Sequence, residues 1–330
     1  MAGKFRAQFQ DISAAADFLG NGAIEVNRYE SEIVDMVRRH SIFVQRVDRK
    51  PATGHPYRYF EQLAIASAAF TDPRNINPTP TGPNRVERAA FIKAITAQTN
   101  LSLFDVDVTR MQGQFAGLEA KDIEDIVNAI LVAEAPAVWN GNDTSLSSPT
   151  TTQYVGLLSQ ITTQAVIAPG ASIVDGLKSQ VAQMAARTDF VVKPTAIYLN
   201  PVLADYIDRE SKAQHIELST VAVAGVSVKA ISTVVGDLPL ISDPWLQKWA
   251  GALYGFSAPP TGNNTYAAVI VTESEIEMPT VHGGDGNMNP RIFQLGLLAN
   301  LTGQYVGVHF NCVIAKGASY AHAVVGVQRP

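Results

Sequence analysis

"PTAIYLNPVLADYIDRESKAQ", residues 194–214, sets a β-type run, Ala196 to Leu199, directly against Asn200-Pro201 and a helix-type run. An asparagine at such a point can accept from free backbone N–H groups as an N-cap. A proline suits the first helical turn, where its missing N–H costs nothing. The stretch therefore reads as an abrupt strand-to-helix step with no catalytic-type residue at the junction, and its purpose has to come from the elements around it.

Immediately upstream, Val174, Leu177, Val181 and Met184 share one face of a helix expected over about Ile173 to Arg187. Downstream, the helix opened by Asn200 is expected to reach about Gln214, and residues 219–242, "STVAVAGVSVKAISTVVGDLPLIS", read as strands broken by Gly and Pro. Further β runs follow in "TYAAVIVTESEIEM", "FQLGLLANLTGQYVGVHFNCVIAKG" and "YAHAVVGV". The longest helical signal is Met111 to Ala135, where Phe115, Leu118, Ile123, Ile126, Val127, Ile130 and Leu131 keep near 3.6-residue spacing. "VWNGNDTSLSSPTTT" ends it, because Asn, Gly, Asp, Ser and Pro favour turns. No repeat recurs at a fixed period. Helices and strands mix without regular βαβ alternation, so the expected class is α+β.

The first hundred residues differ in character. A short amphipathic helix is expected from about Val26 to His40, with Ile33, Val34 and Val37 on one face and Asp35 three and four residues before Arg38 and Arg39. From Ser41 the pattern turns to β-type runs, "IFVQRV" and "YRYFEQLAI", separated by turn-rich stretches. Residues 71–84, "TDPRNINPTPTGPN", hold four prolines and can be neither helix nor central strand. Together these runs predict a long β-hairpin; a loop of this size is normally functional or disordered.

Composition narrows the function. Of the 330 residues 17% are charged, against about 25% in ordinary soluble domains, while the apolar share is an ordinary 46%. Surface destined for interface would show that depletion. Net charge is −5 and the pI near 5.7, against a protein that grips phosphates along a basic stripe. The charge is segregated: residues 1–100 carry 13 basic and 10 acidic groups, residues 101–330 carry 12 and 20. Either opposite signs meet between copies or the segregation is accidental in a monomer. Cys312 is the single cysteine, which excludes an intrachain disulfide and fits synthesis in a reducing compartment. No apolar run approaches the ~18 residues of a membrane span, and the first residues lack a signal-type apolar core, so a soluble, untargeted chain without a membrane partner is expected.

Sites for chemistry are sparse. "SLFDVDVT", residues 102–109, resembles the Asp-x-Asp-x-Thr pattern of haloacid-dehalogenase-type phosphotransferases, which would make Asp105 a nucleophile and Asp107 an acid/base. That chemistry needs the motif to end a buried parallel strand. Polar "TAQTN" precedes it and a helix follows at once, so a loop and cap at the helix start is the preferred reading. "HGGDG", His282 to Gly286, offers one His and one Asp, short of a ligand set, and reads as a turn. His309 and Cys312, three apart in a β-type run, are expected on opposite faces. No nucleophile elbow, dinucleotide-binding glycine loop or zinc-type cysteine pair is present. Catalysis, cofactor and metal are therefore not expected. Arg46, Arg49, Lys50, Tyr57, Arg58, Tyr59 and Phe60, with Arg38 and Arg39 before them, read as intersubunit contacts more readily than nucleic-acid contacts, since Tyr and Arg are enriched at interfaces and Asp48 and Glu61 dilute the positive field.

The order of these elements resembles the major capsid proteins of tailed bacteriophages with the HK97-type fold. The segments that carry the likeness are the arm, the long hairpin, the long acidic helix ending in "VWNGND", then "YVGLLSQI", "AIYLNPVLADYIDRES", "GDLPLISDPWL" and "IEMPTVHGGDGNMNPRIFQLGLLANLTGQYVGVHFNCVIAKG", together spanning about Ile42 to Gly317. The resemblance implies an N-terminal arm with a short helix (1–41), an extended loop (42–98), a peripheral domain with a long spine helix (99–165 and 273–330) and an axial domain (166–272). It also implies that the Asn200-Pro201 step positions a helix near a capsomer axis and catalyses nothing. Implied too are self-assembly as hexamers and pentamers into an icosahedral shell and enclosure of double-stranded DNA without sequence-specific binding. Partners would be a portal and scaffolding, protease or decoration proteins, and the location the virion, with the host cytoplasm during assembly. Two departures leave the subfamily open: Asn140-Gly141-Asn142-Asp143 stands where a double-glycine turn is common, and Leu301-Thr302-Gly303 lacks the charges often found in the late strand. With no long helical segment before the arm, a scaffolding domain is expected to be absent, removed or separately supplied. Two alternatives remain: an encapsulin-type compartment of the same fold, and a phosphatase built on Asp105.

Overall fold

The computed structural model describes residues 41–74, 76, 81–112, 118–216, 218–223, 225–246, 248–249, 260–282, 286, 288–295 and 302–330. The helix expected at Val26 to His40, with Arg38 and Arg39, and most of "HGGDG" lie outside them. In chain order the helices are α1 (Ile42–Arg46), α2 (Leu103–Gln112), α3 (Leu118–Asn140), α4 (Leu157–Gln160), α5 (Ile173–Ala185) and α6 (Pro201–Ala213). The strands are β1 (Asp48–Pro51), β2 (Tyr57–Ala64), β3 (Asn84–Ala90), β4 (Lys93–Ser102), β5 (Gln164–Ile167), β6 (Ala196–Leu199), β7 (Ser219–Val223) and β8 (Val226–Thr233). They continue with β9 (Gly236–Ser242), β10 (Lys248–Trp249), β11 (Asn264–Val271), β12 (Ile276–Thr280), β13 (Arg291–Leu295), β14 (Thr302–Asn311), β15 (Ile314–Ala315) and β16 (Ala323–Arg329). The chain is mixed α+β, and divides into two compact units. The larger holds Arg38–Gln98, Ile126–Phe293 and Val306–Pro330; described parts of the smaller fall within Thr99–Asp125 and Gln294–Tyr305.

The larger unit is organised by an eight-stranded mixed sheet in the order β5-β16-β11-β6-β9-β8-β7, with β10 on β11. Its centre is buried on both faces, which is why β6 reads as an unbroken apolar run instead of alternating. Period two sorts its side chains between two cores. Ile197 and Leu199 of β6, Ala268 and Ile270 of β11, and Val325 and Val327 of β16 meet α5 and α6 through Val174, Leu177, Val181, Leu203 and Ile207. Ala196 and Tyr198, Val269 and Val271, and Val324 face the other way, onto Phe43, Trp139, Leu157 and Met278.

The opening junction folds as its residues dictate. Asn200 is extended, its Oδ1 accepts from the Val202 N–H at 2.9 Å, and Pro201 starts α6. β6 pairs antiparallel with β11 and parallel with β9, so the helix leaves the middle of the sheet. α5 opens in a similar way: Ser172 Oγ accepts from the Asp175 N–H, and Glu210 of α6 accepts from the Ile173 N–H at 2.8 Å, a carboxylate on a helix N-terminus.

Three expectations change. "IFVQRV" is helical over α1, because Phe43 wedges against Trp139 (ring centroids 4.4 Å) and Tyr198 (5.0 Å), and that burial outweighs the β propensity of the run. The long helix runs past Ala135 and Pro136 to Asn140, since Val138 and Trp139 are fully buried and the Trp139 indole N–H donates to Asp243 at 3.1 Å. Asp105 and Asp107 lie inside α2, not in a loop and not at the end of a parallel strand, so the motif lacks the setting its chemistry requires.

A second sheet runs β1-β12-β14-β13, with β15 on β12 and β4 on β14. β1 pairs parallel with β12, Asp48 opposite Glu277 through Pro51 opposite Thr280. Among the described residues β2 and β3 form a two-stranded sheet, antiparallel from Tyr57 opposite Ala90 to Ala64 opposite Asn84. A hairpin is present in the expected region, but its second limb is Asn84–Ala90, which the sequence reading does not single out, and not "IFVQRV".

Candidate assembly surface

The hairpin has a root tied to the rest of the chain by ion pairs, and exposed apolar residues towards its far end. At the root, the guanidinium of Arg46 donates through two N–H groups to Glu273, both at 2.8 Å, and Tyr198 donates to the same carboxylate. Burial alone would raise the Glu273 carboxyl; the Arg46 fork and the tyrosine reverse this and hold it below its ordinary value. Arg49 donates to buried Glu134 at 3.2 Å and to the Met288 carbonyl at 3.3 Å. Lys50 pairs with Glu277, which Lys316 also contacts at 2.7 Å. Here too burial would raise the carboxyl, and the two lysines lower it.

Along β2 the side chains alternate. Tyr59 points inward, its ring 5.7 Å from the Lys316 ammonium, and burial pushes its hydroxyl pKa well up. Glu61 accepts from the Gly317 N–H at 3.2 Å and from Arg88 of β3 at 3.1 Å. Tyr57 stacks beside Tyr59 at 6.3 Å, and Arg58, outward, pairs with Glu87 at 2.8 Å. Lys93, just beyond β3, closes on buried Asp143 at 2.7 Å.

The sequence-predicted contact residues thus divide. Arg46, Arg49, Lys50 and Tyr59 are engaged inside the chain; Tyr57 and Arg58 lie on the hairpin flank; Arg38 and Arg39 are outside the described residues. The pairs Arg46–Glu273, Arg49–Glu134, Lys50–Glu277 and Lys93–Asp143 each join a base from the first hundred residues to an acid from the rest. At these positions the opposite signs of the two segments meet within one chain.

Beyond Phe60, sequence reasoning missed the hairpin's outward residues. Phe60 is 72% exposed and Ile65 78%, Leu63 and Ile76 are exposed, and Phe70 is fully so. Ser67 and Thr81 join the two limbs, the Ser67 N–H donating to Thr81 Oγ1 at 2.9 Å. A sequence signal was present: no charged residue occurs from Gln62 to Thr71. An uncharged apolar cluster of this kind on a projecting element marks an interaction site.

The remaining sequence candidates behave as structural groups. His309 and Cys312 are buried, the histidine lowered to about 4 and the thiol pushed up to about 12, in both cases by burial. Among the described residues no group of three His, Cys, Asp or Glu could hold a metal ion.

No protein-family model matches the chain, and no curated protein does. Solved structures do. The chain is similar to the encapsulin of the holo-SrpI encapsulin complex from Synechococcus elongatus PCC 7942, at 13% identity and TM-score 0.64, over 91% of each chain. It is similar to a protein of Gordonia phage Cozz at 13% identity and TM-score 0.62, over 96% of this chain and 95% of that one. It is also similar to the capsid protein of an empty GTA particle, at 11% identity and TM-score 0.66, over 95% and 98%. The shared feature is the HK97-type fold, along nearly the whole chain.

Proposed function

We propose that the chain is a major capsid protein: a structural, non-enzymatic subunit that assembles as hexamers and pentamers into the icosahedral head of a tailed bacteriophage. The observation that carries this is the hairpin, on a fold shared with shell proteins. Its root charges are satisfied internally while its apolar outer residues Phe60, Ile65 and Phe70 are exposed among the described residues. A neighbouring copy covers them. Donor hairpin and receiving surface differ, so the contact is heterologous, and heterologous contacts that close make rings and shells. In this reading residues 42–98 reach over a neighbour, 1–41 brace another subunit, 99–165 and 273–330 form the peripheral domain around α3, and 166–272 form the axial domain, whose sheet β16 re-enters. Tyr57 and Arg58 on the flank join Phe60 in the contact. Double-stranded DNA is enclosed without sequence readout, in keeping with the net charge of −5. Portal, scaffolding, protease and decoration proteins would be the partners, and the virion, after assembly in host cytoplasm, the location.

An encapsulin-type compartment is the second reading, favoured by a likeness to an encapsulin as close as that to the phage protein. Electron microscopy of the purified chain, alone and with its neighbouring gene products, over a range of concentration and salt, tests both. Closed shells or capsomer rings are expected, with nucleic acid inside under the first reading and protein cargo under the second. A uniform monomer or dimer under every condition refutes shell formation. Replacing residues 65–82 by a short turn should leave a folded subunit that makes no stable shell; normal shells from it would remove the hairpin's role.

A further inference from the structure

The hairpin separates two grooves of different chemistry. One, of about 680 Å³, is walled by hydroxyls, among them Thr144, Ser145, Ser159 and Ser319. The other, of about 800 Å³, runs from Phe60 and Ile65 on the hairpin to Phe190 and Tyr320 opposite, with Asp189 and Lys316 beside them. Its floor is prearranged. The Phe190 and Tyr320 rings stack at 4.0 Å and 8°, and the Arg187 guanidinium lies 5.9 Å from the Tyr320 ring. Gly317, at φ +62°, leaves room for the Tyr320 ring that a Cβ would take. Both rings pack against the apolar core behind them.

We infer that this Phe190–Tyr320 groove is the acceptor for the hairpin tip of a second copy of the chain, centred on Phe70. The inference rests on the shell reading and names the receiving half of its contact. The tip carries no charge from Gln62 to Thr71, and the groove lining holds Lys316 with Glu61, Asp189 and Glu275, of which Lys316 and Glu61 are already paired with Glu277 and Arg88, so neither side selects a strongly charged partner. An apolar floor with a polar rim is the anatomy of a protein interface core. Phe70 lies two residues past the last hairpin residue of its own groove, Ala68, and is fully exposed, so its own groove does not hold it. The three side chains Phe60, Ile65 and Phe70 offer about 500 Å² of apolar surface, short of the roughly 800 Å² per partner of a freestanding interface. Such a contact holds only when repeated around a ring of copies.

The test uses the full chain, in which buried Cys312 is out of reach of oxidant. A Phe70→Cys chain is mixed with an Asp189→Cys chain under assembly conditions and oxidised. A disulfide-linked dimer is expected from the mixture and from neither chain alone. Dimer from either chain alone in equal yield, no dimer from the mixture, or an intrachain link in the Phe70→Cys/Asp189→Cys double variant at high dilution would each overturn the inference. Electron microscopy of the same samples separates the two readings: particles without the mixed link sink the groove and spare the shell, whereas absence of particles sinks both. Independently, Phe70→Ser and Phe190→Ser should each raise the assembly concentration at least tenfold, and the double variant should add little to the worse single one. Additive losses would place the two rings in separate contacts.

Discussion

Replacing Asn200 tests how much of the fold depends on the strand-to-helix step. Its side chain works in two directions. Oδ1 accepts from the Val202 N–H at 2.9 Å, and the Nδ2 group donates to the carbonyl of fully buried Leu246. Asn200→Ala removes a cap, about 1 kcal/mol, and orphans a buried carbonyl, a further 1–2 kcal/mol or roughly that, for a total of about 2–3 kcal/mol. At about 2 °C per kcal/mol for a large domain, the melting temperature should fall by about 5 °C. Asn200→Asp is the discriminating variant. Aspartate caps helices as well as asparagine does, so a purely capping role predicts no loss. The geometry instead sets a carboxylate oxygen against the Leu246 carbonyl, and a loss at least as large as that of alanine is expected at pH 7. Thermal unfolding followed by circular dichroism, on unassembled subunit, reads all three proteins. An Asn200→Asp chain as stable as the parent would refute the two-way role and leave only the cap.

Gly141 and Gly156 hold the end of α3 against the segment before α4: an added Cβ at either would fall within 3.0 Å of backbone, the Tyr154 and Ala137 carbonyls for Gly141 and the Trp139 carbonyl and Gly141 nitrogen for Gly156. Each Gly→Ala change should cost about 3 kcal/mol in urea unfolding, and parental midpoints would contradict the close approach. His322 is buried and neutral, lowered from 6.5 to about 4 by burial, with Nδ1 accepting from the Thr272 N–H and Nε2 facing the Lys316 carbonyl. Its unfolded form binds the proton first, so stability is complete above pH 6.5 and falls by about 3 kcal/mol as pH drops towards 4. A His322→Gln chain should show a shallower acid slope, and an unchanged slope would clear this residue of the effect. Arg46→Ala leaves Glu273 half-buried with only Tyr198 and Thr195 beside it, and should cost about 2 kcal/mol, discounted for partial exposure. Because Glu273 is held below its ordinary value, that loss should be present at pH 7 and fade as pH falls through the acid range; a loss constant with pH would argue for packing alone.

What the sequence disclosed followed the range of the interactions involved. The Asn200-Pro201 step was readable because cap and helix start lie two residues apart, and α5 and α6 because their apolar faces repeat locally. Of the hairpin only the first limb was readable, as the β-type run before the prolines; Asn84–Ala90, rich in Arg and Glu, carries no such pattern and takes its strand form by pairing with β2. α1 was not, since the contacts that make it helical come from Trp139 and Tyr198, far along the chain. Nor was the last turn of α3, which Pro136 should have discouraged and which the Trp139–Asp243 contact retains. Pairing of the root charges was equally hidden, with Arg46 and Glu273 separated by 227 positions. Arginine beside tyrosine reads as interface composition; within the single chain Arg46, Arg49 and Lys50 pair with Glu273, Glu134 and Glu277 at the hairpin's foundation. Apart from Phe60, the outward apolar residues were visible only as a missing charge.

Under the proposed shell reading, the low charge content and the segregation of signs have one physical explanation. A side chain that must be desolvated each time two copies meet is expensive to carry as an ion, whereas an ion paired once, during folding, is desolvated together with its partner. Arg46, Arg49, Lys50 and Lys93 are paired in this way with acids of the later sequence. Their second effect is mechanical. By tying α1, β1 and the first residue of β4 to the body, they fix the pose of β2 and β3 before any neighbour arrives, and a preordered element loses less entropy on docking. If the chain assembles as proposed, an uncharged tip on a fixed root suits a contact weak enough singly to correct errors and numerous enough to hold a closed shell.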